Sequence, residues 1–208
     1  MKVFVEKDAE DFLEKNKFPV ASRIAIKKEE EIEKAVKKLE FPISMKIIGK
    51  SILHKTDVGG VKLNIKDMNE AKRKFKELKK IKGFSGVLVQ KFLNGSYVLV
   101  GLKKTREFGH VLAFGLGGIF TEVIGDVSFR ICPVKEKDVD EMMQEIKGKD
   151  ILYGARGKKR NIKAVRNILL KLSKLSEKYP KIKELDINPV IVNEKEAKIV
   201  DARIVFED

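Results

Sequence analysis

The 208-residue sequence predicts a mixed α/β (α+β) fold with at least two sheets. Three observations predict it. Apolar residues recur at helical spacing in several separate stretches. Short β-type runs lie between those stretches. The order of the two is not a strict strand–helix alternation, so a lone parallel sheet is not expected.

Along the chain, residues 23–26 read as a strand. Ile32, Ala35, Val36 and Leu39 then fall at i, i+3, i+4 and i+7, which gives a helix with one apolar stripe. Residues 44–48 and 61–65 read as strands, and Ala71, Phe75 and Leu78 mark the next helix. Three more strands are expected over 86–90, 97–102 and 110–114. Val139, Met142, Met143 and Ile146 repeat the helical spacing, as do Val165, Ile168, Leu169 and Leu172. The chain closes on two strands, 182–192 and 197–206. Pro42 and Pro133 punctuate strand starts, and Pro189 interrupts the first C-terminal strand, which places it at an edge or a bulge.

The size suits one globular domain or two small lobes. Apolar residues at 43% and charged residues at 37% exclude wholesale disorder. The longest apolar runs, such as 187–192, are far short of the ~20 residues of a membrane helix. MKVFVEKDAEDF lacks an apolar signal core, so export is not expected. The single Cys132 excludes an internal disulfide and points to a reducing cytoplasm. Lys and Arg, 45 in all, exceed the 31 Asp and Glu, a net charge of +14 that favours polyanions. Abundant Lys and Glu, with Gln only at Gln90 and Gln144 and no Trp, also match a heat-adapted (thermophilic) composition. The basic run 72–82 reads as the solvated face of a helix, and 156–163 as a loop. The loop has no aromatic and the helix only Phe75, on its apolar stripe, so neither offers aromatic stacking platforms, which argues against nucleic acid as a partner.

The most informative stretch is ELDINPVIVNEKEAKIVDARIVF, residues 184–206. Alternation puts Glu184, Asp186 and Asn188 on one face. A turn over 193–196 makes residues whose numbers sum to 389 face each other. Asn188 then opposes Asp201, and Asp186 opposes Arg203. Opposed Cβ atoms lie ~4.5–5.5 Å apart, close enough for two oxygens to share a hard cation. Mg²⁺ takes one or two protein ligands and completes its shell with phosphate and water. The same pattern also fits an ordinary polar hairpin with an Asp186–Arg203 ion pair.

Gly115, Leu116, Gly117 and Gly118 follow the apolar run 111–114. They form either an anion-binding loop or a tight turn, without the Gly-Lys-Ser/Thr of a Walker sequence. His54 sits among Lys55, Thr56 and Asp57, ahead of Gly59 and Gly60. Its imidazole is either structural or a nucleophile toward phosphorus. Lys46, between apolar neighbours in a β-like run, points to a phosphate or to solvent.

Together these pieces resemble the ATP-grasp β subunit, or β-like domain, of NDP-forming acyl-CoA synthetases, including ADP-forming acetate–CoA ligase. Four ordered blocks carry the resemblance: FPISMKIIGKSILHKTDVGGVKL at 41–63, GVLVQKFLNG at 86–95, VLAFGLGGIFTEVIGDVSFRICPV at 111–134, and ELDINPVIV with VDARI between 184 and 204. The second and fourth echo ATP-grasp enzymes generally, while the first and third are specific to this family.

The resemblance implies an ATP-grasp fold of two lobes, approximately 20–90 and 91–208, with the nucleotide site between them and a helix at 8–16 packing on the larger lobe. It implies that Lys46 contacts the nucleotide phosphates and that Gln90, Lys91 and Leu93 belong to the hinge that reads the adenine. Tyr97 stands at the position that commonly binds ribose. Gly115, Gly117 and Gly118 fall in the signature block, with 122–130. Asn188 and Asp201 are the implied Mg²⁺ ligands, His54 the histidine that carries the phosphoryl group, and Asp186 the carboxylate that orients it.

The implied reaction is acyl-CoA + ADP + phosphate ⇌ acid + CoA + ATP. No strand–GxGxxG–helix unit is present for CoA. The resemblance therefore implies a separate α subunit with the primary phosphohistidine, in an α₂β₂ heterotetramer. Lys91 and Tyr97 both stand where the family usually has glutamate. They leave a non-catalytic regulatory or scaffolding subunit as the second reading, with a basic nucleic-acid-binding protein as the remote third.

Overall fold

The computed structural model describes residues 1–49, 55–117, 125–154 and 159–208. The chain divides into two compact units: residues 1–20 with 94–208, and residues 21–93.

The smaller unit is a four-stranded antiparallel sheet under two helices. Its strands are β2 (Arg23–Ile26), β3 (Ile43–Ile48), β4 (Val61–Ile65) and β5 (Gly86–Lys91), in the order β2-β5-β3-β4. The apolar stripes of α2 (Glu31–Leu39) and α3 (Met68–Lys79) supply Ile32, Ala35 and Leu39, and Ala71, Phe75 and Leu78. These pack on Ile43, Met45, Ile47, Val87 and Val89, which share one face by alternation. Asp67 starts α3 by accepting from Glu70 N–H at 2.8 Å, while the Glu70 carboxylate reaches back to Lys66 N–H at 3.0 Å.

The larger unit holds a seven-stranded antiparallel sheet. It contains β1 (Lys2–Val5), β6 (Ser96–Thr105), β7 (Gly109–Leu116), β8 (Val127–Ile131), β9 (Ile182–Val192), β10 (Ala197–Ile199) and β11 (Arg203–Phe206). The order is β1-β11-β9-β6-β7-β8, with β10 also on β9. Helices α1 (Lys7–Lys15), α4 (Glu136–Glu145) and α6 (Ile162–Lys178), with the short α5 (Asp150–Tyr153), supply its core. Val98, Val100, Leu102, Leu112, Phe114, Leu185 and Ile187 meet them from the sheet. Among the described residues no helix is long and apolar enough to cross a membrane.

Three features differ from the sequence expectation. The expected strand 197–206 is two strands. Pro189 has no N–H to give the ladder, so the contact there is Val200 N–H donating to Pro189 O at 3.3 Å. The carbonyl of Ala202 is taken by Glu6 N–H at 2.9 Å. Pro189 lies in a central strand at a bulge, one of the two settings its sequence position allowed. The break between the β9–β10 and β9–β11 ladders flanks it on one side, and a register shift between Val98 and Val100 of β6 on the other. The sheet accommodates it as a bulge.

Strands β1 and β8 were not expected. In β8 the apolar pattern is inverted: Phe129 and Ile131 are exposed, while Ser128 is buried. The reason is Glu145 at the end of α4. Arg130 Nη1 donates to its carboxylate at 2.9 Å, and Ser128 Oγ donates as well. Arg130 first, and then Ser128, hold the Glu145 pKa down at about 2.

Candidate functional site

The hairpin that carries the candidate metal ligands has the register read from its sequence. Val192 faces Ala197, Ile191 faces Lys198 and Val190 faces Ile199. On the far side of the proline, Asp186 faces Arg203 and Leu185 faces Ile204. Both segments keep the same offset, so Asn188 and Asp201 stand at corresponding positions in the gap between them. The turn is closed by Asn193, whose Oδ1 accepts from Lys195 N–H and Glu196 N–H at 2.9 Å each.

Asp186 sits opposite Gly101 of β6 on one side and Arg203 of β11 on the other. Burial pushes its carboxyl pKa up, and the nearby charges of Glu184 and Asp201 push the same way, against Arg203. Among the described residues, the Asp186–Arg203 ion pair of the ordinary-hairpin alternative does not form. Arg203 turns diagonally to Glu184, at 3.4 Å. Asp186 is thus a carboxylate in a negative, partly desolvated setting, which is how functional carboxylates are commonly held.

The glycine block reaches this hairpin at Gly117. Its N–H donates to Tyr97 O at 2.8 Å. A Cβ built on Gly117 would meet Asn188 Oδ1 at 3.1 Å. Tyr97, Gly117, Asn188, Asp186 and Asp201 therefore belong to one region of the seven-stranded sheet. Gly115 faces elsewhere, with Asp126 O 2.5 Å from where its Cβ would lie. The Tyr97 side chain is exposed. His54 and Gly118 lie outside the described residues, as do 122–124 of the signature block.

The smaller unit presents a second polar group. Gln90 faces Arg23 across β2 and Ser44 across β3. Lys46, two residues along β3, shares that face, which lies opposite the α2/α3 core. Lys46 and Gln90 are buried at 6% and 1% exposure, and Ser44 is buried too. Among the described residues Gln90 Nε2 has no hydrogen-bond partner, an orphan that buried amides rarely leave. Arg23 and Ser44 were missed from sequence. Alternation in RIAI could place Arg23 off the core, but nothing local shows which strand it faces.

Lys91 does something the sequence did not reveal. Helix α2 ends on Glu40 with φ +56°, unusual for a residue with a side chain. Lys91 Nζ donates to the carbonyls of Glu40 and Phe41 at 3.0 and 3.3 Å. The lysine thus stabilises the helix exit, with its charge at the negative end of the dipole. Leu93, half-buried in the irregular stretch between β5 and β6, is the last residue of the smaller unit.

Among the described residues no three His, Cys, Asp or Glu side chains converge as a metal cage. A Mg²⁺ site does not need one. One carboxylate and one carboxamide oxygen are hard donors of the right kind and number, so Asp201 and Asn188 fit the ion.

The ATP-grasp domain model matches residues 1–206. The β subunit of acetate–CoA ligase [ADP-forming] I from Pyrococcus furiosus is 40% identical over 97% of this chain and 91% of its own length. Acetate–CoA ligase [ADP-forming] II from Archaeoglobus fulgidus is 43% identical over 98% of the chain, which spans only 30% of that longer protein. Among solved structures, an acetyl-coenzyme A synthetase from Ca. Korarchaeum cryptofilum, in complex with coenzyme A and Ca-AMPCP, matches with TM-score 0.92 at 34% identity, covering 99% and 94% of the two chains. A structure of the same protein with coenzyme A and Mg-AMPPCP, its phosphohistidine segment pointing towards the nucleotide binding site, matches at TM-score 0.87 and 34% identity, covering 99% and 93%. The chain belongs to the ATP-grasp family and, within it, to the β subunits of ADP-forming acetate–CoA ligases.

Proposed function

We propose that this chain is the nucleotide-binding β subunit of an ADP-forming acyl-CoA ligase of the acetate type, working with an α subunit in an α₂β₂ assembly. The observation that carries the reading is the hairpin register, which holds Asn188 and Asp201 at corresponding positions beside the partly buried Asp186.

The chemistry runs acyl-CoA + ADP + phosphate ⇌ acid + CoA + ATP. Phosphate displaces CoA at the acyl carbon to give an acyl phosphate. A neutral imidazole nitrogen then attacks its phosphorus. The P–O bond to the acyl group breaks and the carboxylate leaves. Finally the P–N bond breaks as the terminal phosphate oxygen of ADP takes the phosphoryl group. In this scheme the first imidazole is the primary phosphohistidine of the α subunit, a His54 ring nitrogen takes the phosphoryl group as that first P–N bond breaks, and His54 then gives it to ADP. Asp186 is the carboxylate that the family resemblance implies for orienting the histidine. Lys46 neutralises phosphate charge, and Asn188 and Asp201 hold Mg²⁺. When bound, Mg²⁺ neutralises charge developing on the phosphates. Phosphoryl transfer asks the protein mainly for positioning and electrostatics, which fits a site of fixed polar groups.

Lys91 no longer favours a non-catalytic reading, because its side chain is engaged in ending α2. The test is ATP formation by the reconstituted α/β complex from acetyl-CoA, ADP and phosphate. His54→Ala and Asp201→Ala should each abolish it while leaving the complex intact. Unchanged activity in His54→Ala would sink the phosphohistidine role, and no activity in the wild-type complex would favour a regulatory subunit.

A further inference from the structure

We propose that the solvent face of α3 is a docking surface for an acidic face of the α subunit, and that it steers the two chains together. The inference rests on the subunit reading above. The smaller unit, residues 21–93, carries 19 Lys and Arg against 9 Asp and Glu. That is +10 of the chain's +14, in about a third of its length. Within the unit the excess is again uneven. Helix α2 has three lysines against two glutamates, and its Lys37 pairs with Glu33 one turn away at 3.0 Å. Helix α3 has five basic residues against two glutamates, and Lys80 and Lys82 follow it. A heat-adapted composition raises both signs together, as on α2, and does not account for the surplus on its neighbour.

The surplus lies on one stripe. Asn69, Lys72, Arg73, Lys76 and Lys80 fall at i, i+3, i+4, i+7 and i+11, opposite the buried Ala71, Phe75 and Leu78, and all five are exposed. With Glu77 they line an open groove of about 470 Å³. The two glutamates of α3 are engaged elsewhere: Glu77 with Lys62 and Lys74 at 3.0 and 3.1 Å, and Glu70 with Lys66 N–H. Among the described residues Lys72, Arg73 and Lys80 form no ion pair, and Lys76 has only Glu29, at 3.6 Å. From Asn69 to Lys80 the stripe runs roughly 16 Å, about three helical turns. Carboxylates repeated along a protein surface of that length match it charge for charge. Nucleic acid fits less well, because no aromatic side chain stands on the stripe for a base to stack on, and Glu77 at its border would face the phosphates.

The experiment measures the rate and affinity with which the full 208-residue chain associates with the purified α subunit, from about 50 to 500 mM NaCl. A triple reversal, Lys72→Glu, Arg73→Glu and Lys76→Glu together, should slow association about 10- to 100-fold at low salt, within the range of electrostatic steering, and flatten its salt dependence. The same reversal on α2, at Lys34, Lys37 and Lys38, changes the net charge equally and should cost far less. Equal losses in the two variants would reduce the effect to net charge and overturn the proposal, as would a wild-type rate in the α3 variant. Should the α3 reversal fail to fold, Lys72→Gln, Arg73→Gln and Lys76→Gln together remove the charge without inverting it. That variant should slow association in the same direction, and a wild-type rate would overturn the inference. A DNA duplex of roughly 20 base pairs, bound more tightly than the α subunit and released by the α3 reversal, would assign the stripe to nucleic acid and overturn it too. A wild-type chain that does not associate with the α subunit overturns the subunit reading and this inference together, whereas association that the α3 reversal leaves untouched overturns the docking surface alone.

Discussion

In the seven-stranded sheet, Asp186, Asn188 and Asp201 come from one hairpin of contiguous chain. In the four-stranded sheet, Arg23, Ser44, Lys46 and Gln90 come from three strands separated by whole helices. Both regions hold desolvated polar groups, but by different means. The hairpin aligns its residues through a short turn, and a one-residue slip would send every side chain to the other face. The smaller sheet aligns its residues only once α2 and α3 have buried the opposite face. Polar chemistry encoded locally survives a change elsewhere in the unit, whereas chemistry assembled from distant strands depends on the core behind it.

The largest expected effect tests the assembled side. Lys46→Met keeps the length of the side chain and removes its charge. ADP affinity should fall about ten- to hundredfold, the loss of a charge-assisted contact of roughly 1.5–3 kcal/mol. Unchanged affinity by calorimetry would remove Lys46 as a phosphate-binding candidate and leave the hairpin residues as the better-supported ones.

The next effect has the opposite sign and sharpens the local side. Burial holds the Asp186 pKa above its unfolded value. The fold therefore favours the protonated form, and that advantage is lost as pH rises through the folded-state value. Asp186→Asn should raise Tm at pH 7, by about 1 kcal/mol or roughly 2–4 °C, while phosphoryl transfer is lost. The gain should vanish below the unfolded carboxylate pKa near ~4, where both states are protonated. A lower Tm at pH 7 would show that Asp186 is structural.

The smallest effect concerns the exit of α2. Lys91→Ala should cost about 1 kcal/mol by thermal denaturation, the net worth of its bonds to two carbonyls. Lys91→Glu should cost more than Lys91→Ala, since it sets a carboxylate against those carbonyls and the helix dipole. Equal Tm values for the two variants would mean that the lysine's charge is not what holds the turn.

Much of this was legible in the sequence, and the reason is locality. Helix positions follow from the spacing of Ile32, Ala35 and Leu39, or of Val165, Ile168 and Leu172, because a helix pairs only with itself. The hairpin register follows from its turn and its alternation, because each strand's partner is the next segment of chain. The four blocks of family resemblance named the ATP-grasp fold before any contact was known.

What only the tertiary structure decided involves partners distant along the chain. The inverted pattern of β8 makes sense once Arg130 and Ser128 are seen to clasp Glu145 on α4. Pro189 is tolerated in a central strand because the ladder breaks on one side and shifts on the other. Lys91 ends a helix about fifty residues back in the chain. Gln90 faces Arg23 and Ser44 because the sheet order is β2-β5-β3-β4, a result of packing two helices on one face. Local spacing fixes which way a side chain points, and burial of the shared core decides what it meets.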